Sequence, residues 1–345
     1  MVTHRLDAIR LRGVDWFSWA TAGGSSVIIL TNEIGVAEVL VTDDTAWILT
    51  TPIEAERLRE EEVPTEYDLH VMPWTTQNLL LAAVPQAAGW RIASDRPLGG
   101  ESPLPAELVQ LKRQMLPEEI TRYERLGRDA ALCVSAALAA AQPDWTEIRL
   151  AGEAAREMWI RGIHPTLTLV AGGTRLARHR HPFPTASALG ERAMLVICGR
   201  RHGLYANMTR FVAFEGPSAA DLHGLAQLRR IEAAGFNASR PGNTLASVYH
   251  TLTEAYAEAG YPGEELNHHQ GGTTGYLSRE VVATPHTHDS LTENMAVAWN
   301  PSLPGLKIED TMLITANGLR CLTSDPTWPT VQADGRERPD WLWRS

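Results

Sequence analysis

The run Asn267-His268-His269-Gln270-Gly271-Gly272-Thr273-Thr274-Gly275-Tyr276 constrains this chain more than any other stretch. Two adjacent histidines lead straight into three glycines and an aromatic residue. Glycine at that density marks backbone where a side chain would clash or where φ must be positive. The segment therefore has to make a tight turn or a close approach to neighbouring backbone. A histidine beside such a bend either stands solvated on a surface turn or presents its imidazole to a ligand, a proton or a metal. The stretch alone leaves both readings open.

The chain has 345 residues, comfortable for two domains. A formal charge of −10 argues against nucleic acid or an anionic membrane as the main partner. There is no apolar run of about eighteen residues, the length a transmembrane helix needs. The opening Met1-Val2-Thr3-His4-Arg5-Leu6-Asp7 lacks the apolar core of a secretion signal. Cys133, Cys198 and Cys321 lie far apart and fit reduced thiols better than a disulfide framework or a zinc knuckle. A cytoplasmic location is expected.

Periodicity divides the chain. Residues 4–14 read as a helix, with Leu6, Ile9 and Leu11 apolar among charged residues. Apolar runs at 26–30, 36–42 and 47–50 read as strands, the last two joined by a hairpin at Asp43-Asp44. Helices are expected at 53–62 and 76–88, and a strand at 90–94. Gly99-Gly100-Glu101-Ser102-Pro103-Leu104-Pro105 breaks both kinds of regular structure, which sets domains at 1–105 and 106–345. In the second, long helices are expected over 116–141, 146–162, 219–234 and 245–259. Strands are expected at 165–171 and 193–198, and alternating strands and turns from 296 onward. The outcome is α/β followed by α+β.

Four segments of the second domain carry chemical character: Arg178-His179-Arg180-His181-Pro182-Phe183-Pro184-Thr185, Gly203-Leu204-Tyr205-Ala206-Asn207-Met208-Thr209-Arg210, the His-Gly stretch, and Trp299-Asn300-Pro301 with Gly305-Leu306-Lys307-Ile308-Glu309-Asp310-Thr311. In order and spacing the chain resembles the pita-bread superfamily: prolidase, Xaa-Pro and methionine aminopeptidases, and creatinase. The resemblance implies an α+β pita-bread domain preceded by a smaller α/β domain like that of creatinase, and a homodimer. The peptidases of that superfamily hold two divalent metals on two aspartates, a histidine and two glutamates. The resemblance places these at about Ile197, Asn207, His269, Asn300 and Glu309. Only His269 and Glu309 match, so a dinuclear manganese, cobalt or zinc centre is not expected, and no cofactor is assigned.

Creatinase, of the same shape, hydrolyses a C–N bond without metal and uses a histidine as acid/base; the matching residue here is His181. The resemblance thus implies a metal-independent hydrolase of a small amide, peptide or guanidino compound. His181, Glu309 and His269 would be catalytic, with Asn207, Asn300, Tyr276, Lys307 and Arg180 lining the substrate. Tyr276 stands where the peptidases usually have a second histidine; its phenol could reach a substrate oxygen or simply pack. Lys307 and Arg180 could attract a substrate carboxylate. Two rival functions come with the resemblance: an Xaa-Pro aminopeptidase or dipeptidase, and a non-catalytic peptide-binding protein.

Overall fold

A computed structural model describes residues 1–344, which form two compact units, 1–113 and from 114 onward. The helix α4 (Ala106–Arg113) closes the first unit, so that unit runs past the Gly-Pro segment.

The first unit is a six-stranded sheet. Its elements are β1 (Ala8–Gly13), α1 (Val14–Ala20), β2 (Ile34–Val41), β3 (Ala46–Thr50), α2 (Ala55–Arg57), β4 (Asp68–Val71), α3 (Leu79–Ala83), β5 (Ile92–Ser94) and β6 (Ser102–Pro103). The strand order is β4-β3-β2-β1-β5-β6. Alternate residues feed two cores: Val39 and Ile48 join Leu11, Phe17 and Leu58, while Leu40 and Leu49 join Ala8, Leu80 and Ile92. A sheet covered on both faces reads as continuous apolar runs, as β2 and β3 do.

Residues 8–13 form a strand, not the helix their spacing suggested. The misleading residue is Arg10, whose charge looks solvent-facing but is 2% exposed. Its guanidinium donates to Glu38 on β2 at 2.7 Å and to Glu101 at 2.8 Å. Cross-strand neutralisation thus lets a charged residue sit inside the sheet, and a short segment yields to such pairing. Residues 26–30 form no strand; Ile28 and Ile29 stay exposed.

The second unit contains α5 (Pro117–Ala140), α6 (Glu147–Ile160), β7 (His164–Gly172), α7 (Arg175–Arg178), β8 (Arg192–Arg201), β9 (Leu204–Ala213), α8 (Ala219–Ala238), α9 (Leu245–Glu258), β10 (Gly271–Thr274), β11 (Val281–Val282), β12 (Ala296–Trp299), β13 (Ser302–Leu303), β14 (Leu306–Lys307), β15 (Asp310–Thr315) and β16 (Gly318–Cys321). Pro117 and the acidic Glu118 and Glu119 start α5, and Ser218 and Thr244 cap α8 and α9 through their hydroxyls. β7, β8 and β9 pair antiparallel in one sheet, and β11-β10-β12-β15-β16 form a second. A bridge between Thr209 and Glu309 joins the two. One face buries Val196, Phe211, Val297 and Ile314 against Leu228 and Ile231 of α8 and Val248 and Leu252 of α9.

Candidate active site

The site grows from the junction of the two sheets. Asn207, on β9, is fully buried between β10 and β15. Its backbone N–H donates to Thr311 Oγ1 at 2.8 Å, and its side-chain Nδ2 donates to Thr274 Oγ1 at 2.9 Å. Thr209, two residues on, places its N–H 3.1 Å from the Glu309 carbonyl and its hydroxyl 3.3 Å from the Glu309 carboxylate. The strand pleat thus aligns Asn207 and Thr209 on one face.

The His-Gly stretch closes the site from β10. Gly271 has φ +103°, and a Cβ there would lie 2.1 Å from the Ala298 carbonyl oxygen on β12. Only glycine permits that approach, which seats Asn300 next to Gln270: the Asn300 N–H donates to the Gln270 carbonyl at 3.1 Å. Three amide oxygens here, Asn207 Oδ1, Asn300 Oδ1 and Gln270 Oε1, are buried without a hydrogen-bond partner. Unsatisfied buried acceptors are uncommon and costly, and they mark a place suited to donors on a ligand.

Glu309 is 2% exposed and binds the guanidinium of Arg279; Lys307 Nζ stands 3.9 Å from its other oxygen. Burial pushes the Lys307 ammonium below its usual range, the nearby Arg279 adds to that, and Glu309 opposes it. One carboxylate therefore faces two cations.

Three imidazoles lie beside this cluster. His181 Nε2 is 2.9 Å from His268 Nε2, with the rings edge to face, and His268 and His269 stack with centroids 4.5 Å apart. His268 is buried; His181 is exposed. Burial depresses all three, assisted by Lys307 and, for His181 and His269, by Arg279: His268 falls to about 2 and His269 to about 4. All three rings are thereby biased toward the neutral form.

The structure gathers His181, His269, Glu309, Lys307, Asn207 and Asn300 around these contacts. It removes Tyr276 from the substrate wall: the side chain is fully buried and its hydroxyl donates to Glu119 of α5, the packing alternative. Arg180 is likewise engaged, binding Glu264 and donating to Ser302 Oγ at 3.2 Å. The residue facing Asn207 across the hairpin is Cys198, whereas Ile197 pairs with Met208 on the other face. Neither carries a carboxylate. His268 and Arg279 were missed. His268 was visible as the neighbour of His269, while nothing in the local pattern distinguishes Arg279 from a solvated cation.

The family's dinuclear centre does not fit this donor set. Two divalent ions need several anionic ligands, but the amides at 207 and 300 are neutral and Glu309 is already paired with Arg279 and Lys307.

This two-sheet arrangement is the pita-bread fold of peptidase-type hydrolases. The chain belongs to metallopeptidase family M24, whose family model matches residues 122–316. An uncharacterized peptidase of Staphylococcus aureus (strain MW2) is 30% identical over 125 residues, 34% of this chain and about a third, 35%, of that relative. The fold is similar to that of prolidase from Pyrococcus horikoshii OT3, with a TM-score of 0.78, 19% identity and coverage of 94% of this chain and 95% of that one. It is also similar to dipeptidase PepE from Mycobacterium ulcerans (TM-score 0.77, 18% identity, 99% and 95% covered). A further similar chain is the N-terminal domain of FACT complex subunit SPT16 from chickpea, Cicer arietinum (TM-score 0.69, 14% identity, 93% and 91% covered). No helix among the described residues is long and apolar enough to cross a membrane.

Proposed function

We propose that this protein hydrolyses a C–N bond in a small amide, short peptide or guanidino compound without a dinuclear metal centre, with His181 as general acid/base. The observation that carries this reading is the 2.9 Å contact between His181 and His268 beside the Arg279–Glu309–Lys307 cluster. In that contact one ring must donate. With His181 as donor through Nε2–H, its Nδ1 keeps a lone pair that accepts a proton from water as the water oxygen attacks the substrate carbon. The resulting imidazolium then returns that proton to the leaving nitrogen. Two cations against one carboxylate leave a net positive charge, suited to an oxyanion developing on the substrate or to a substrate carboxylate. The orphaned amide oxygens of Asn207, Asn300 and Gln270 suit substrate N–H groups.

The test is turnover of Xaa-Pro dipeptides, small amides and guanidino compounds by untagged protein dialysed against a chelator. Activity that persists after chelation and disappears in His181→Ala is expected. Activity that appears only on adding manganese, and survives in His181→Ala, would replace this reading with that of a metallopeptidase.

A further inference from the structure

We propose that His181, His268 and His269 form a site for one borderline or soft divalent transition ion, of the zinc, cobalt or nickel class, which shares only His269 with the dinuclear position of the family. Each ring offers one nitrogen, and the three nitrogens lie within 4.8 Å of one another. Tetrahedral zinc with bonds of about 2.0–2.1 Å holds its ligand nitrogens roughly 3.4 Å apart. The His181–His268 separation of 2.9 Å has only to widen slightly, and the longest separation has to contract by a modest ring rotation. A proton held between two facing Nε2 atoms occupies the place an ion takes, so binding displaces it.

The chemistry of the set selects the ion. Three neutral imidazoles without a carboxylate suit zinc, cobalt, nickel or copper, and not the oxygen-seeking manganese, magnesium or calcium. His268 is a buried residue and His181 an exposed one, which gives the ion a route from solvent. The electrostatic surroundings oppose the cation, because Lys307 and Arg279 both act on these rings and Glu309 offsets only part of that. The open fourth position therefore takes an anion, hydroxide or chloride, and affinity rises with its availability. Three histidines plus one open position is a complete tetrahedral arrangement.

This inference stands apart from the hydrolase reading, but the two make contact at His181. An ion there takes up a ring that proton transfer requires to be mobile, so the loaded protein is silent as a C–N hydrolase and the chelated protein is the active form.

The experiment uses untagged full-length protein, stripped with a chelator, desalted and titrated with cobalt(II) and, separately, zinc(II). Bound ion per chain is read by mass spectrometry, and the visible absorption of cobalt reports its geometry. One ion per chain is expected, with the strong absorption of tetrahedral cobalt. Affinity should fall at least about 10-fold in each of His181→Gln and His268→Gln, since a lost direct ligand costs no less than a lost outer partner. It should be unchanged in Asn300→Ala. Two ions per chain, or an ion kept in His268→Gln and lost in Asn300→Ala, would overturn the proposal in favour of the family position. Binding of no ion by the folded protein would overturn it as well. None of these readouts involves turnover, so failure here leaves the hydrolase reading untouched.

Discussion

His181 and His268 bring their Nε2 atoms to 2.9 Å although 87 residues separate them. The contact joins the loop before β8 to the segment entering β10, and it sets an exposed ring against a buried one. Because the exposed ring is the one able to meet a substrate, His181→Ala should lower kcat by about 10²–10³-fold, the usual worth of a positioned acid/base. Removing the ring also takes away the partner of the buried His268 Nε2, a hydrogen bond worth about 0.5–1.5 kcal/mol of stability. Turnover and urea denaturation measured on the same preparation check both; an equal loss of stability and activity would make His181 a structural residue.

Stability should fall with pH below about 6.5. His268 is held near 2 and His269 near 4, against 6.5 when unperturbed. Their folded values are depressed, so between these limits the unfolded chain binds protons that the folded chain refuses. Full stability is present above pH 6.5 and declines as pH falls, by up to about 1.4 kcal/mol per pH unit for the buried His268. The more exposed His269 adds a smaller share that ends near pH 4, because solvent screens it. Urea midpoints at a series of pH values should show this slope, and His268→Gln should flatten it.

Glu309→Gln should destabilise the protein by about 3–5 kcal/mol, since it strands the cations of Arg279 and Lys307 without a counter-charge. Adding Lys307→Met to that variant should recover part of the loss. If the double variant is no more stable than the single one, Lys307 is not the group that Glu309 balances.

Restoring carboxylates at the amide positions should not restore the family's metal centre. In the double variant Asn207→Asp with Asn300→Glu, Arg279 and Lys307 still occupy Glu309. Manganese content after desalting should therefore stay near zero. Retention of two ions per chain would show that the lost carboxylates alone account for the mismatch.

Gly271→Ala should cost more than about 2 kcal/mol, because it combines a backbone conformation that L side chains avoid with a Cβ placed 2.1 Å from the Ala298 carbonyl. The pairing of β10 with β12 would shift, and with it the rings of His268 and His269. Thermal denaturation gives the magnitude. An unchanged transition would mean that the two strands have room to separate.

Much of the fold was legible because its signals are local. α5, α6, α8 and α9 follow from apolar periodicity and caps, and β7 and β8 from apolar runs bounded by turns. Residues 8–13 were misread because the partner that neutralises Arg10, Glu38, lies on another strand. Asn207, His269, Asn300 and Glu309 stood out as positions in ordered motifs. For Tyr276 substrate contact and packing stayed open, since the acceptor for its hydroxyl is Glu119, 157 residues away.

By itself the sequence determined the residue types at these positions: two amides, a histidine, a glutamate and the glycines that let β10 approach β12. Those follow from identity and spacing along the chain. Only the tertiary structure decided that His181 meets His268, that Arg279 pairs with Glu309, and that Cys198 rather than Ile197 faces Asn207. Each of these depends on pleat parity or on a pairing between distant segments. A side chain's charge state and partner are set by what the fold brings within a few ångströms, which neighbours in sequence do not specify.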